Sequence, residues 1–178
     1  FLKILKLKEW IFYLNVLTEI LVGWTQRNKK MKLNEFIKLG SIFINLEIDS
    51  KKTLFKEISL LVEKKIKVKA SLIVEKLNER EKLGSTGVGK GAAIPHSKIQ
   101  GIEKTNVIFV KLKNPIDFSA PDKKDVDLVF VIIAPEDSPS EHLMILSSIS
   151  GFLKRDKDVK KLRSLKSPEE VLSLFSKY

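Results

Sequence analysis

The chain has 178 residues, a length that suits one domain with a small appendage, and its 43% hydrophobic and 31% charged residues are an ordinary globular balance. It contains no cysteine, which excludes disulfides, Cys-ligated zinc and thiol nucleophiles. The net charge is +11, but the lysines occur as scattered pairs with acids between them, so a solvated basic surface or an acidic partner protein is favoured over nucleic acid.

Residues 1–30 differ from the rest of the chain. The apolar stretch from Ile11 to Trp24 is too short to span a bilayer and contains Asn15 and Glu19, so no stable membrane insertion is expected. No small-x-small cleavage site of a signal peptide follows it. We interpret 1–30 as an extension outside a domain that covers 31–178. A surface-lying amphipathic helix is the alternative.

The first part of the domain alternates between strand and helix patterns. Residues 41–48 are typical of a strand, and Asp49 and Ser50 are residue types that cap a helix. A second helix is predicted over 69–81, ended by Gly84. The helix between these segments is indicated by apolar residues at helical spacing: Leu54, Phe55, Ile58, Leu61 and Val62.

The second part of the domain continues the alternation. Residues 106–113 and 126–135 are β-branched, apolar strands, and the unbroken apolar run of the second predicts a strand covered on both faces. Ser138 and Glu141 form a capping-box pattern that opens a helix, and the pattern returns at 167–170. Strands mixed with helices predict a sheet with helices on both faces.

The segment "REKLGSTGVGKGAAIPHSKI", residues 80–99, is close to a nucleotide-binding loop but departs from it. Gly84, Gly89 and Lys90 fit the phosphate-binding pattern, whereas Gly91 stands where a Ser or Thr hydroxyl should hold magnesium. A helix precedes the loop where a strand should, and the dinucleotide pattern also fails at its last glycine. A nucleotide site is therefore not favoured.

The same segment leads through glycines and Pro95 into His96. Glycines let the backbone approach a bound group closely, and a neutral imidazole nitrogen is a nucleophile. A histidine beside glycine amides and an arginine could therefore accept a phosphoryl group. A structural histidine near a turn is the alternative, and these residues alone leave both open.

The longer stretch "LNEREKLGSTGVGKGAAIPHSKI" resembles the signature of the enzyme IIA components of the bacterial phosphotransferase system, mannitol/fructose class, and is closest to the nitrogen-regulatory branch. The block "NPIDFSAPDKKDVDLVFVIIAPEDSPSEHLMILSSIS" and the stretch "LKSPEEVLSLF" continue the likeness. The likeness covers about Met31 to Tyr178 and none of residues 1–30.

The resemblance implies an α/β fold, a three-layer sandwich with a mixed central sheet of about five strands flanked by helices on both faces. It also implies phosphotransferase chemistry through a phosphohistidine intermediate. A histidine-containing phosphocarrier protein would donate the phosphoryl group, without nucleotide, metal or other cofactor, in the cytoplasm.

The resemblance also implies roles for individual residues. His96 stands at the position of the phosphoryl acceptor, His142 at that of a second active-site histidine, and Arg80 at that of an arginine beside the phosphoryl group. A solvated arginine at a helix end is the alternative for Arg80. The positive end of the helix dipole disfavours an imidazolium at His142, which could donate an N–H to a phosphoryl oxygen or orient His96. Three further residues are candidates for binding the phosphoryl group: Ser85, Thr86 and Gly87. The alternative for Ser85 and Thr86 is that they cap the loop.

One position departs from the family pattern, because Ser97 follows His96 where glycine is usual. Its Cβ could shift the loop or hinder a partner, and its hydroxyl could add a donor.

The favoured function is a regulatory phosphocarrier that acts on target proteins by being phosphorylated or not. The alternative is a fructose- or mannitol-specific IIA component that passes phosphate to a IIB domain. An interaction module without phosphotransfer and a small nucleic-acid binder are less favoured. Retention of the three site residues argues against the first, and phenylalanines placed inside apolar runs argue against the second.

Overall fold

The computed structural model describes residues 32–137 and 139–178. The interpretation of residues 1–30 and the predicted cap at Ser138 lie outside these residues. The helices are α1 Leu33–Phe36, α2 Lys51–Ile66, α3 Ala70–Lys82, α4 Pro139–Leu153, α5 Asp156–Ser164 and α6 Pro168–Phe175. The strands are β1 Ile42–Leu46, β2 Gly87–Gly89, β3 Ala92–Ala93, β4 His96–Ile99, β5 Asn106–Ile116 and β6 Val126–Pro135.

The six strands form one mixed sheet in the order β1-β5-β6-β3-β2, and β4 also pairs with β6. The central pair β5–β6 is antiparallel, whereas β1 is parallel to β5, and β3 and β4 are parallel to β6. The predicted mixed sheet is confirmed. The sheet has six strands where about five were expected, because the glycine-rich segment forms three short strands.

Helices cover both faces of the sheet, which confirms the three-layer sandwich. Alternate residues of β6 point to opposite faces, so Phe130 packs with α1, α4, α5 and α6 while Val131 packs with α2 and α3. The whole run from Leu128 to Ala134 has no exposed surface, as its unbroken apolar pattern predicted.

Most predicted elements are confirmed with small shifts at their ends. The strand predicted over 41–48 is β1, and the helix predicted over 69–81 is α3. The second capping box is confirmed at α6, where the Ser167 hydroxyl accepts from the backbone N–H of Glu170 at 3.2 Å. Helix α5 was not predicted, because only two of its residues, Val159 and Leu162, are buried.

The glycine-rich segment places the site at the edge of the sheet. Strands β3 and β4 pair with consecutive stretches of β6 and are separated only by Ile94 and Pro95. The carbonyl of Pro95 accepts from Ile132 N–H at 2.9 Å, which holds the interruption against β6. His96 is consequently the first residue of a short strand that has a paired neighbour on one side.

Candidate active site

His96 is half-buried, and both of its ring nitrogens have protein partners. Its Nδ1 lies 2.9 Å from the carbonyl oxygen of Ile94, and its Nε2 lies 2.9 Å from Nε of Arg80. A carbonyl oxygen only accepts and an arginine nitrogen only donates, so Nδ1 carries the proton and Nε2 presents its lone pair. The geometry therefore selects one tautomer, in which Nε2 is the ring nitrogen that carries the lone pair.

The pKa of His96 is lowered from the ordinary histidine value, mainly because burial disfavours the charged ring. The positive charge of Arg80 lowers it further, while the hydrogen bond to Ile94 and the charge of Glu81 act in the opposite direction. The net effect favours a neutral imidazole near neutral pH, which is the state that a nucleophile requires.

Arg80 lies in the last turn of α3, and its side chain contacts His96 at the start of β4. Besides its contact with His96, its Nη1 donates to the carbonyl of Gly84 at 3.1 Å. These two bonds hold the guanidinium over the ring nitrogen. They also link the helix to the start of the glycine-rich loop.

His142 is the fourth residue of α4, which packs on the face of the sheet opposite α3. Its ring lies beside that of His96. The two ring centroids are 5.2 Å apart, with an angle of 55° between the planes. His142 is 7% exposed, and within the described residues its Nδ1 has no hydrogen-bond partner. Burial, followed by the charges of His96 and Lys98, lowers the pKa of His142, so this ring is also favoured in the neutral form.

The two histidines and Arg80 open into one groove of about 700 Å³. Basic side chains dominate its walls, and Glu79, its one acidic member, is paired with Lys76 at 2.8 Å. Such a wall favours an anionic group close to Nε2 of His96. The remaining lining residues are Lys82, Leu83, Ser97 and Lys98.

The three residues predicted to bind the phosphoryl group all make other contacts within the protein. The Ser85 hydroxyl donates to the carbonyl of Phe118 at 2.5 Å, and the Thr86 hydroxyl donates to Glu81 at 2.6 Å. A Cβ at Gly87 would meet Ala120 at 2.7 Å, so this glycine allows close packing. Phosphoryl binding by these residues stays a prediction.

Sequence reasoning missed Glu81 as a distinctive part of the site, and it singled out Ser97 without predicting that its hydroxyl is buried. Glu81 is a shielded carboxylate that contacts the glycine-rich loop, and its position directly after Arg80 in "REKLGST" was the available signal. Ser97 is 5% exposed, and its hydroxyl has no partner among the described residues.

Across residues 32–137 and 139–178, no group of three or more His, Asp or Glu side chains is placed to hold a metal ion. In this same part of the chain, no helix combines the length and apolar character needed to cross a membrane.

Comparison with known proteins identifies the family to which this chain belongs. The family model described as "Phosphoenolpyruvate-dependent sugar phosphotransferase system, EIIA 2" matches residues 35–178, which makes the chain a phosphotransferase-system component. The nitrogen regulatory protein of Bradyrhizobium diazoefficiens is 36% identical over 147 residues, covering 82% of this chain and 95% of that protein. The chain belongs to the EIIA 2 family.

A solved structure and a sugar-specific relative refine this result. The crystal structure of nitrogen regulatory protein IIA-Ntr from Neisseria meningitidis matches with a TM-score of 0.77 and 37% identity, covering 80% of this chain and 98% of that one. The fructose-specific EIIABC component of Bacillus subtilis is 29% identical over 149 residues, which cover 83% of this chain but 24% of that protein. The nitrogen regulatory branch is therefore favoured over the sugar-specific one.

Proposed function

We propose that this chain is a regulatory phosphocarrier that accepts a phosphoryl group on His96 from a histidine-containing phosphocarrier protein. The observation that carries the proposal is the hydrogen bond from Nδ1 of His96 to Ile94, because it leaves Nε2 unprotonated and directed at the groove. The EIIA 2 match and the nitrogen regulatory relatives support the same function.

In the proposed step, the lone pair of His96 Nε2 attacks phosphorus. The P–N bond of the donor phosphohistidine breaks, and the donor ring leaves with that electron pair. His96 keeps its Nδ1 proton, so its ring gains positive charge as the new N–P bond forms. The Ile94 carbonyl, 2.9 Å from Nδ1, stabilises that charge. The transfer therefore needs no proton removal from His96.

Arg80 and His142 supply donors for the phosphoryl oxygens. In the free protein the guanidinium of Arg80 donates a hydrogen bond to Nε2 of His96. In this proposal it donates instead to a phosphoryl oxygen as phosphorus approaches Nε2. The buried His142 is neutral and donates one N–H to another oxygen. Stabilisation by such preorganised donors typically contributes about 10²–10³ in rate for each donor.

Partner proteins are proposed to bind at an apolar rim beside the groove, which we define as Leu83, Leu143 and Met144. These side chains are 85%, 64% and 40% exposed, respectively. Leu83 lines the groove, and the other two follow His142 on α4. Large exposed apolar side chains next to a reactive group mark a surface that another protein covers during transfer.

The regulatory role depends on the charge that phosphorylation adds. A phosphoryl group brings about −2 charges and three acceptor oxygens into a basic groove, which changes the surface that target proteins meet. Regulatory targets are therefore the proposed downstream partners, and a cytoplasmic location remains part of the proposal. The 29% identity with the fructose-specific protein supports transfer to a IIB domain as a second candidate.

The direct test is phosphorylation from phosphoenolpyruvate with enzyme I and the phosphocarrier protein. We expect acid-labile, base-stable phosphate on the native chain and none on His96→Ala. The matched control, His142→Ala, keeps the acceptor and should be labelled more slowly. Label that persists on His96→Ala would refute the acceptor assignment. Onward transfer to a purified fructose-class IIB domain at a rate matching the first step would favour the second candidate.

A further inference from the structure

Glu81 forms a compact charged network behind the active site. Its carboxylate accepts from the Thr86 hydroxyl at 2.6 Å and from the Thr86 backbone N–H at 3.2 Å to each oxygen. It also accepts from Nζ of Lys51 at 2.8 Å. The Glu81 side chain is 9% exposed, whereas Glu79 on the same helix is 52% exposed. Only a carboxylate can accept from all of these donors at once.

The network continues through the backbone to the reactive histidine. The carbonyl of Thr86 accepts from the N–H of Ile94 at 2.9 Å, and the carbonyl of Ile94 receives the Nδ1 proton of His96 at 2.9 Å. Thr86, which Glu81 holds, is therefore hydrogen-bonded to Ile94, and the carbonyl of Ile94 selects the tautomer of His96. Arg80 holds the start of the same loop through Gly84.

We propose that Glu81 is a positioning residue for phosphoryl transfer: it fixes Thr86, and through it the Ile94 carbonyl, so that His96 keeps its proton on Nδ1 and its lone pair on Nε2. This inference rests on the proposed acceptor role of His96. Loss of the carboxylate frees Thr86 and leaves Lys51 without its charge partner. The Ile94 carbonyl then loses its fixed direction, and the imidazole samples both tautomers.

The substitution that tests this role is Glu81→Gln, which keeps the shape of the side chain. The amide oxygen accepts from part of the donor set, and the new NH₂ group opposes the ammonium of Lys51. Thr86→Val is a second variant, because it removes one hydroxyl and keeps the volume and the backbone bond. The matched control is Glu75→Gln, on the same helix, exposed and outside the groove.

The first readout is the tautomer of His96 in the unphosphorylated protein, read from long-range ¹H–¹⁵N spectra. We expect the native chain and Glu75→Gln to show the Nδ1–H form alone, and Glu81→Gln and Thr86→Val to show a mixture. The second readout is the phosphorylation rate. We expect a loss of about tenfold or more in kcat for Glu81→Gln with the KM for the donor within about twofold, because misorientation of the acceptor affects the chemical step.

The outcomes separate this inference from the proposed function. A native tautomer and a native rate in folded Glu81→Gln would overturn it, as would a native tautomer in Thr86→Val if Glu81→Gln fails to fold. A changed tautomer in these variants, combined with a native chain that is phosphorylated away from His96, would refute the acceptor assignment; Glu81 would then fix the tautomer of His96 without a role in phosphoryl transfer.

Discussion

The reactivity of His96 depends on the charge state of one half-buried ring. Burial lowers its pKa first, and the charge of Arg80 lowers it further. Because the protonated ring has no lone pair to offer, the transfer rate should be constant above the pKa of His96 and fall as the pH drops through it. The lowered pKa places that fall on the acid side of the ordinary histidine value.

Arg80→Gln should move this profile as well as slow the reaction. Removal of the guanidinium removes one cause of the lowered pKa, so the pKa of His96 rises and the fall in rate begins at a higher pH. The rate at the plateau should drop about 10²-fold, because a phosphoryl-stabilising donor is lost. NMR titration of His96 and single-turnover kinetics measure the two effects, with the exposed Lys157→Gln as control. An unchanged or lower pKa of His96 would contradict this electrostatic account.

Ser97 offers a separate test of a buried hydroxyl. Its Oγ has no hydrogen-bond partner among the described residues, and the side chain is 5% exposed. Ser97→Ala should raise the free energy of unfolding by about 1 kcal/mol in urea titrations, because an unsatisfied buried polar group is removed. Ser97→Gly should raise the free energy of unfolding by less than Ser97→Ala, because glycine adds backbone freedom to the unfolded chain. A loss of stability in Ser97→Ala would mean that the hydroxyl has a partner.

The sequence motif named the site residues but not their hydrogen-bond partners. Arg80, His96 and His142 were predicted as one site, and the structure brings the three together. Their catalytic roles stay predictions. The partners of Ser85 and Thr86 could not be read from spacing, because Phe118 and Glu81 approach the loop only after the chain has folded.

Secondary-structure elements differ in how strongly local sequence determines them. Helices α2 and α3 have apolar residues at helical spacing, and strand β6 has a long unbroken apolar run, so all three were predicted. Strands β2, β3 and β4 have two to four residues each and exist through pairing with β6 or with one another. Such pairing depends on contacts distant in sequence, which local patterns do not contain.

Buried charge is a second feature that local patterns miss. Lys111 is 8% exposed within apolar β5, and its ammonium donates to the carbonyls of Arg163 and Leu165. These carbonyls lie at the C-terminal end of α5, so the lysine satisfies groups that the helix leaves unpaired. From the sequence, Lys111 is one polar residue in a strand pattern.

The capping box of α6 supplies a prediction at the level of one helix. Ser167→Ala should lower the free energy of unfolding by about 1 kcal/mol, because the Glu170 N–H loses the acceptor that now lies at 3.2 Å. The control is Ser173→Ala, an exposed position inside the same helix, where a change within about 0.5 kcal/mol is expected. Equal effects of the two substitutions in chemical denaturation would contradict the cap.

Considered as a whole, the described part of the chain has a basic groove with an apolar rim at the edge of a sheet that helices cover on both faces. The net charge of +11 was interpreted as a solvated surface or a match for an acidic partner, and the groove concentrates part of that charge beside His96. The domain boundary at residue 31 stays a prediction. The proposed partner surface could not be predicted from the sequence, because Leu83 and Leu143 are 60 residues apart in sequence and belong to different helical regions.

Leu83→Asp tests the apolar rim. The side chain is 85% exposed, so stability should change by less than about 0.5 kcal/mol. The KM for the phosphocarrier donor should rise about tenfold, because a contact that the donor desolvates becomes charged. Steady-state kinetics with increasing donor measure this effect. Leu60→Asp, on α2 and 48% exposed away from the groove, is the control, and an equal rise in KM for both variants would contradict a localised docking surface.

The proposed roles of Arg80, His142 and Glu81 all depend on Nε2 of His96 being the nitrogen that bonds to phosphorus. The most direct measurement is two-dimensional ¹H–¹⁵N and ³¹P NMR of the phosphorylated native chain with ¹⁵N-labelled histidine, which reports the bonded nitrogen. We predict one phosphohistidine, at His96, joined through Nε2, with the Nδ1 proton still present on the Ile94 side. A phosphoryl group on Nδ1 of His96, or on His142, would contradict the account.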